Sequence, residues 1–172
     1  RRNAAEPSSF TGPIDVSKAC ATLATWNGRD TLDARGALVF RRFWSRATAV
    51  NAPVLGNYQR TPIWTTPFSA SDPVHTPRGL NTLNPFVLRA FGDAVADLDA
   101  AHIPVDGRLG DYQKDVRPDG TSTPFHGGPG TLGVFNALNV TWDPVKGYAG
   151  PLGHGSSYIQ VVQFDGDGCP DA

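Results

Sequence analysis

Two glycine-rich segments in the last third of the chain constrain its fold more than any other feature. Each opens on a histidine and continues into an apolar run; the first spans residues 126–136 and the second residues 154–164. Glycine lets a backbone turn sharply and approach its neighbours closely, so each segment is typical of the entrance to a strand. Two strands so close in sequence predict a shared sheet.

The first hundred residues carry three helical patterns. A short helix is expected with Ser17 as its N-cap, and a second one from about residue 35 to residue 50. The third opens at Pro85, which suits a first helical position, and closes at His102, where a cation favours the helix C-terminus. The apolar side of the first helix is predicted to contain Val16, Cys20, Leu23 and Ala24.

The second and third helices have charged residues beside their apolar positions. In the second, the apolar residues are Leu38, Phe43, Trp44 and Ala47, and the polar edge is Arg41, Arg42, Ser45 and Arg46. In the third, the apolar residues are Val87, Phe91, Ala94, Val95 and Leu98, and the acids are Asp93, Asp97 and Asp99. Both patterns predict amphipathic core helices with solvated charges.

The segments between these helices are rich in proline and glycine. Residues 1–13 are predicted to form a connecting arm, and residues 51–79 an extended loop in which five prolines prevent regular helix. Trp64 and Phe68 are expected to hold that loop in place. Residues 104–124, rich in aspartate and glycine, are predicted to be loop as well.

Strands are expected only near the C-terminus. The first is predicted over residues 131–141 and the second over residues 157–164, with a glycine- and proline-rich loop over 142–155 between them. Residues 165–168 (Asp-Gly-Asp-Gly) predict a β-turn rather than a calcium loop, because the glutamate of an EF-hand is missing. Helices first and strands last indicate the α+β class.

Charge and hydropathy exclude several kinds of partner. The formal net charge is −1 and the isoelectric point about 6.4, so no basic face for nucleic acid is expected. There is no apolar run of the roughly 18 residues that a membrane span needs. The first residues lack the apolar core of a signal peptide, as in a mature secreted chain or an internal fragment.

Cys20 and Cys169, the two cysteines, lie near opposite ends of the chain. A disulfide between them would close a long loop and stabilise the fold by about 4 kcal/mol in the chain-entropy model. The alternative is two unrelated thiols, since spacing alone does not bring two cysteines together. Neither has a second cysteine at zinc-finger spacing, so no metal site is predicted.

Candidate site residues lie in the two glycine-rich segments. His126 could line an acyl or amine pocket, or bond the backbone of its own loop. His154 with Ser156 and Ser157 invites comparison with a serine hydrolase, but the second glycine of a G-x-S-x-G elbow is absent. A serine at a strand entrance more often bonds backbone.

Several motifs together resemble the penicillin acylase family, in its lipopeptide and acyl-homoserine-lactone acylase branch. They extend from about residue 16 to the C-terminus and comprise Trp26–Gly28 with Leu32–Ala37, Phe40 with Phe43-Trp44, Thr76–Leu80, the helix after Pro85, His126–Gly130 and His154–Val162. The resemblance implies a segment of an N-terminal-nucleophile αββα hydrolase, a helical insert followed by antiparallel core strands. Residues 14–103 would form the knob-like insert and residues 104–172 the strands.

The resemblance also implies a reaction. In this family the first residue of the large subunit is a serine that attacks an acyl-amide bond, with its own α-amino group as base. This chain begins with Arg1, so we expect the serine on a complementary segment or subunit outside it. The substrate would be an acylated small molecule, such as a β-lactam, a lipopeptide or an acyl-homoserine lactone, and the process antibiotic metabolism or quorum quenching.

In such an enzyme this chain would contribute scaffold, part of the pocket wall and hydrogen bonds that support the site. No catalytic residue, metal or cofactor is assigned to it, and its location would be secreted or periplasmic. Pocket-lining or supporting roles are expected for His126, Gly127, Gly128, His154, Ser156, Ser157 and Tyr158. Two alternatives remain: an accessory domain that binds through residues 64–80, or an inactive truncated product. If the chain is a fragment of either kind, active or inactive, its unpaired strand edges would favour self-association.

Overall fold

The computed structural model describes residues 12–50, 63–138, 140–156, 158 and 160. The helices are α1 (Ser17–Thr25), α2 (Ala37–Val50), α3 (Pro85–Ala100) and α4 (Leu109–Tyr112). The strands are β1 (Trp64–Thr66), β2 (Arg78–Leu80), β3 (Gln113–Val116), β4 (Ser122–Pro124) and β5 (Tyr148–Gly150), with a 3₁₀ turn at Gly130–Leu132. Helices and small sheets thus coexist, as the α+β prediction requires.

The pairing of α2 with α3 forms the centre of the described fold. Phe43 on α2 meets Phe91 on α3 edge to face, with ring centroids 5.6 Å apart. Leu38 on α2 and Leu98 on α3 are fully buried, and burying one such side chain contributes roughly 1.5–3 kcal/mol. The same core cluster contains Leu109 of α4 and Tyr148 of β5, so the later elements pack on the helix pair.

The start of α3 confirms its sequence signature. The side chain of Asn84 accepts a hydrogen bond from the amide of Phe86 at 3.0 Å, and Pro85 takes the first helical position. The helix ends two residues before His102, which has a positive φ of 57°. The amide of His102 donates to the carbonyl of Asp99 at 2.9 Å.

The start and buried side of α1 differ from the prediction. Ser17 is the first helical residue and Val16 the N-cap, whose side chain makes no capping hydrogen bond. The amide of Ser17 donates to the carboxylate of Asp15 at 2.9 Å. Ala19 and Thr22 form the buried side, whereas Cys20 and Ala24 are exposed. The Thr22 hydroxyl can be buried because it donates to the Lys18 carbonyl one turn earlier.

Three segments predicted as loop contain strands. β1 and β2 form an antiparallel pair with Trp64 opposite Leu80. β3 is the middle of a mixed sheet, antiparallel to β4 and parallel to β5. Phe68 is 62% exposed and so does not hold its loop in place.

The predicted strand over 131–141 is wrong. Residues 130–132 form the 3₁₀ turn, which ends at Gly133 with a left-handed φ of 72°. Among the described residues from 134 to 141, only isolated bridges form, at Ala137 and Leu138. The predicted strand over 157–164, the turn over 165–168, Cys169 and the arm up to residue 11 lie outside the described residues.

The predicted division into an insert (14–103) and core strands (104–172) stays a prediction. None of the helices in the described part of the chain is long and apolar enough to cross a membrane.

Candidate functional site

The two glycine-rich segments both bond to residues 136–138, which lie between them in the structure. On one side, the amide of Leu138 donates to the carbonyl of Gly128 at 2.8 Å; on the other, the amide of Ser156 donates to the carbonyl of Ala137 at 2.8 Å. We call this contact the glycine junction; its residues are 126–128, 136–138 and 154–156. The structure therefore brings together most of the site residues that the sequence predicted.

Glycine is required where the segments approach. A Cβ on Gly127, whose φ is 91°, would lie 2.3 Å from the carbonyl oxygen of Asn136. A Cβ on Gly155 would lie 2.4 Å from a methyl carbon of Leu138. Since real Cβ atoms do not come so close, any larger residue would push the segments apart.

The polar side chains of the junction contact backbone. The Ser156 hydroxyl accepts from the amide of Ala137 at 3.2 Å, and the carbonyl of His126 accepts from the side-chain amide of Asn136 at 3.0 Å. The side chains of His126, His154 and Tyr158 are exposed, and Ser157 lies outside the described residues. Their pocket-lining and supporting roles stay predictions.

A buried network of charged and polar side chains lies behind the junction, and the sequence did not predict it. Arg41 on α2 is only 3% exposed, and its Nη2 lies 3.0 Å from both the carboxylate of Asp30 and the carbonyl of Gly127. Its Nη1 donates to the side-chain oxygen of Gln113. Gln113, fully buried at the start of β3, donates to the carbonyls of Phe125 and Gly127, each at 2.9 Å.

A second buried group corrects the expectation of solvated charges. Arg42 and Arg46 on α2 both pair with Asp97 on α3, and Arg42 and Asp97 are each less than 9% exposed. The guanidinium of Arg42 also lies 4.6 Å from the centre of the Trp142 ring, a cation–π distance. Asp93 is buried as well, whereas Asp99 is exposed as predicted.

One signal in the sequence could have found these residues. At about 100° per residue, Arg42 and Arg46 fall between Leu38 and Val39 around the axis of α2. Charged residues that lie between apolar positions on a helix are buried with them, so they need buried partners.

A cleft of about 290 Å³ lies beside the junction. Its lining residues are Phe125, Val140, Thr141, Trp142, Asp143, Lys146, Ala149, Gly150, Pro151 and Leu152. Backbone N–H bonds from Lys146 and Val145 lower the pKa of the Asp143 carboxyl. That carboxylate therefore stabilises its own turn.

Among the described residues, no three histidine, cysteine or acidic side chains lie close enough to hold a metal ion. Cys20 is exposed and makes no disulfide with a described residue. Its pairing with Cys169 stays a prediction.

Comparison with known proteins identifies the family. The penicillin amidase family model matches residues 4–170, nearly the whole chain. The chain belongs to the penicillin amidase family. Its α+β arrangement fits a segment of the N-terminal-nucleophile hydrolase fold. The match makes the chain a member of an acyl-amide hydrolase family.

Curated relatives agree with this assignment. The chain is 36% identical over 156 residues to the acyl-homoserine lactone acylase PvdQ of Pseudomonas syringae pv. syringae (strain B728a), covering 87% of this chain and 18% of the relative. It is 36% identical over 160 residues to PvdQ of Pseudomonas fluorescens (strain Pf0-1), covering 89% and 19%. The aculeacin-A acylase of Actinoplanes utahensis is 30% identical over 165 residues, covering 95% and 19%.

This chain of the penicillin amidase family therefore spans less than a fifth of the length of these relatives. The activity of a whole acylase is a proposal for it.

Proposed function

We propose that this chain is part of a penicillin-acylase-like amidohydrolase that cleaves acyl-amide bonds. Its nucleophile would be an N-terminal serine supplied by a complementary segment or subunit outside this chain. The family assignment and the names of the relatives support this proposal. The substrate would be an acylated small molecule: a β-lactam, a lipopeptide or an acyl-homoserine lactone.

The observation that carries the proposal is that the Ser156 hydroxyl bonds to backbone. Its hydroxyl accepts from the amide of Ala137 at 3.2 Å and also lies 3.4 Å from the carbonyl of the same residue. A nucleophilic serine needs a base at its hydroxyl and donors facing the developing oxyanion. Ser156 instead joins two segments of the glycine junction, which suits a structural role.

In the proposed enzyme the glycine junction supports the catalytic centre. The junction and the adjacent cleft would form part of the pocket wall, and the companion segment would bring the serine to it. We place the enzyme outside the cytoplasm, secreted or periplasmic, where a disulfide between Cys20 and Cys169 could persist. There it could serve antibiotic metabolism or quorum quenching.

A second candidate function is an accessory domain that binds through the hairpin of β1 and β2. Large apolar side chains are exposed on and near it: Phe68 at 62%, Val74 at 84% and Leu83 at 92%. Exposed apolar surface favours association. If this surface were the functional one, Phe68→Ser with Val74→Ser would abolish association with the partner and leave the chain folded.

Hydrolysis of a chromogenic long-chain acyl amide tests the proposal. The assay compares this chain alone, the serine-headed companion alone and the two together, with a serine-to-alanine companion as control. We expect hydrolysis only from the two together, and none with the control. Hydrolysis by this chain alone would overturn the proposal, and silence of a folded, stable complex would favour the accessory or inactive alternatives.

A further inference from the structure

We propose that Arg41 is a positioning residue of the acylase: it fixes the backbone of Gly127 and, through it, the glycine junction. This inference rests on the proposed function, in which the junction supports the catalytic centre. Arg41 contacts no substrate in this proposal, and its effect on the reaction passes through the loop that it holds.

The backbone of Gly127 is held through both its carbonyl and its amide. Its carbonyl accepts from Arg41 Nη2 at 3.0 Å and from Gln113 Nε2 at 2.9 Å. Its amide donates to the backbone carbonyl of Asp30 at 2.9 Å. Two donors on one carbonyl, one of them charged, are more than a loop needs for hydrogen-bond satisfaction.

Arg41 is itself fixed. Nη2 pairs with Asp30, Nη1 donates to Gln113, and the guanidinium carbon lies 5.2 Å from the centre of the Tyr148 ring. Its Nε donates to no described residue. The planar group is thus oriented by the loop and its counter-ion, and a lysine could not make both Nη contacts from one nitrogen.

The position of the Arg41 guanidinium affects the glycine junction through direct packing. A Cβ on Gly128 would lie 2.5 Å from Arg41 Nη2 and 3.0 Å from the Asp30 carboxylate, so Gly128 lies directly against the pair. The carbonyl of Gly128 accepts from Leu138, next to Ala137, which pairs with Ser156. A shift of the guanidinium would therefore move all three segments.

The test compares Arg41→Lys with Arg46→Lys as the matched control. Both keep the charge on α2 and both remove a guanidinium from a pair with an aspartate, but only Arg41 contacts the glycine junction. Hydrogen exchange of the amides of Leu138 and Ser156, measured in this chain, needs no activity. The kcat and KM of the reconstituted enzyme are measured at a temperature where both variants are folded.

For Arg41→Lys we expect faster exchange at the junction and a kcat at least about tenfold lower, because small misplacements near reacting groups are costly. KM should change much less. For Arg46→Lys both readouts should stay at the wild-type level. Equal exchange and equal kcat in the two variants would overturn the inference.

A folding failure of Arg41→Lys does not end the test. Gln113→Met removes the other donor to the Gly127 carbonyl without changing charge, and the same two results are expected from it. Absence of hydrolysis by the wild-type enzyme would contradict the proposed function. Hydrogen exchange at the glycine junction would then decide by itself whether Arg41 positions the junction. Junction exchange unchanged in the folded variant would refute that role.

Discussion

Arg46 pairs side-on with Asp97, with Nε at 2.8 Å from Oδ2 and Nη2 at 2.6 Å from Oδ1. Arg42, one turn earlier on α2, donates to the same carboxylate. Bidentate guanidinium–carboxylate pairs are the stronger and more directional class of ion pair. A single acid of α3 thus holds two cations of α2 inside the helix pair.

Asp97→Asn should therefore be strongly destabilising. It would remove the carboxylate charge that the buried Arg42 and the less buried Arg46 share, and removing one partner of a buried pair costs about 3–5 kcal/mol. Urea unfolding of the variant measures this loss. Asp99→Asn, an exposed position on the same helix, is the control and should change the free energy of unfolding by no more than about 0.5 kcal/mol. Similar losses in both variants would contradict the buried pairing.

Gly128→Ala should loosen the glycine junction. The added methyl would overlap Arg41 and Asp30, and overpacking of a tight site costs about 1–3 kcal/mol. Gly150→Ala makes the same change where no other atom lies within 4 Å, so its stability should be unchanged or slightly raised. Thermal unfolding of the two variants tests this difference, and a stable Gly128→Ala would contradict it.

The stability of the chain should fall between pH 10 and pH 12 because of Tyr148. Burial raises the pKa of Tyr148 from 10.0 to about 12, and the charge of Arg41 acts against this rise. As the pH rises, the Tyr148 phenol ionises in the unfolded chain before it ionises in the folded chain. The contribution of the buried, neutral Tyr148 to the free energy of unfolding is therefore complete below pH 10 and is lost as the pH rises through 12. The loss is on the order of 2 kcal/mol.

Urea unfolding at pH 9 and at pH 12 measures this contribution. Tyr148→Phe should lose less stability over that interval than the wild-type chain, whereas Tyr158→Phe, at an exposed position, should lose as much. Identical pH profiles for Tyr148→Phe and the wild type would refute the assignment.

Ser156→Ala should retain hydrolysis in the reconstituted enzyme, because its hydroxyl bonds backbone in this account. The lost hydrogen bonds to Ala137 should cost about 1 kcal/mol of stability. Steady-state kinetics beside urea unfolding separates the two effects. A variant that folds but has lost all hydrolysis would make Ser156 a participant in the reaction.

The three longer helices could be predicted from the sequence because their signals are local, whereas the four-residue α4 lies in a segment predicted as loop. Asn84 and Pro85 mark the start of α3, and the apolar spacing from Val87 to Leu98 gives its period of 3.6 residues. The family resemblance and the α+β class also followed from residues in the printed sequence, since the motifs that carry them need no knowledge of packing.

The strands and the buried ions could not be found in this way. β3 is made mostly of polar residues without alternation, and it forms through pairing with β4 and with β5, which lies about thirty positions further on. Arg41 and Asp97 look like solvated charges until their partners are known. Those partners, Asp30 and Arg42, lie on different elements, and periodicity along one element carries no information about contacts between elements.

Covalent labelling of the proposed acylase, reconstituted from this chain and its companion, locates the nucleophilic residue. The enzyme is treated with a serine-reactive sulfonyl fluoride until hydrolysis stops, digested and mapped by mass spectrometry. We expect one label, on the N-terminal serine of the companion segment, with Ser156 unmodified. A label on Ser156 or on any other residue of this chain, at the same rate as the loss of activity, would contradict this expectation.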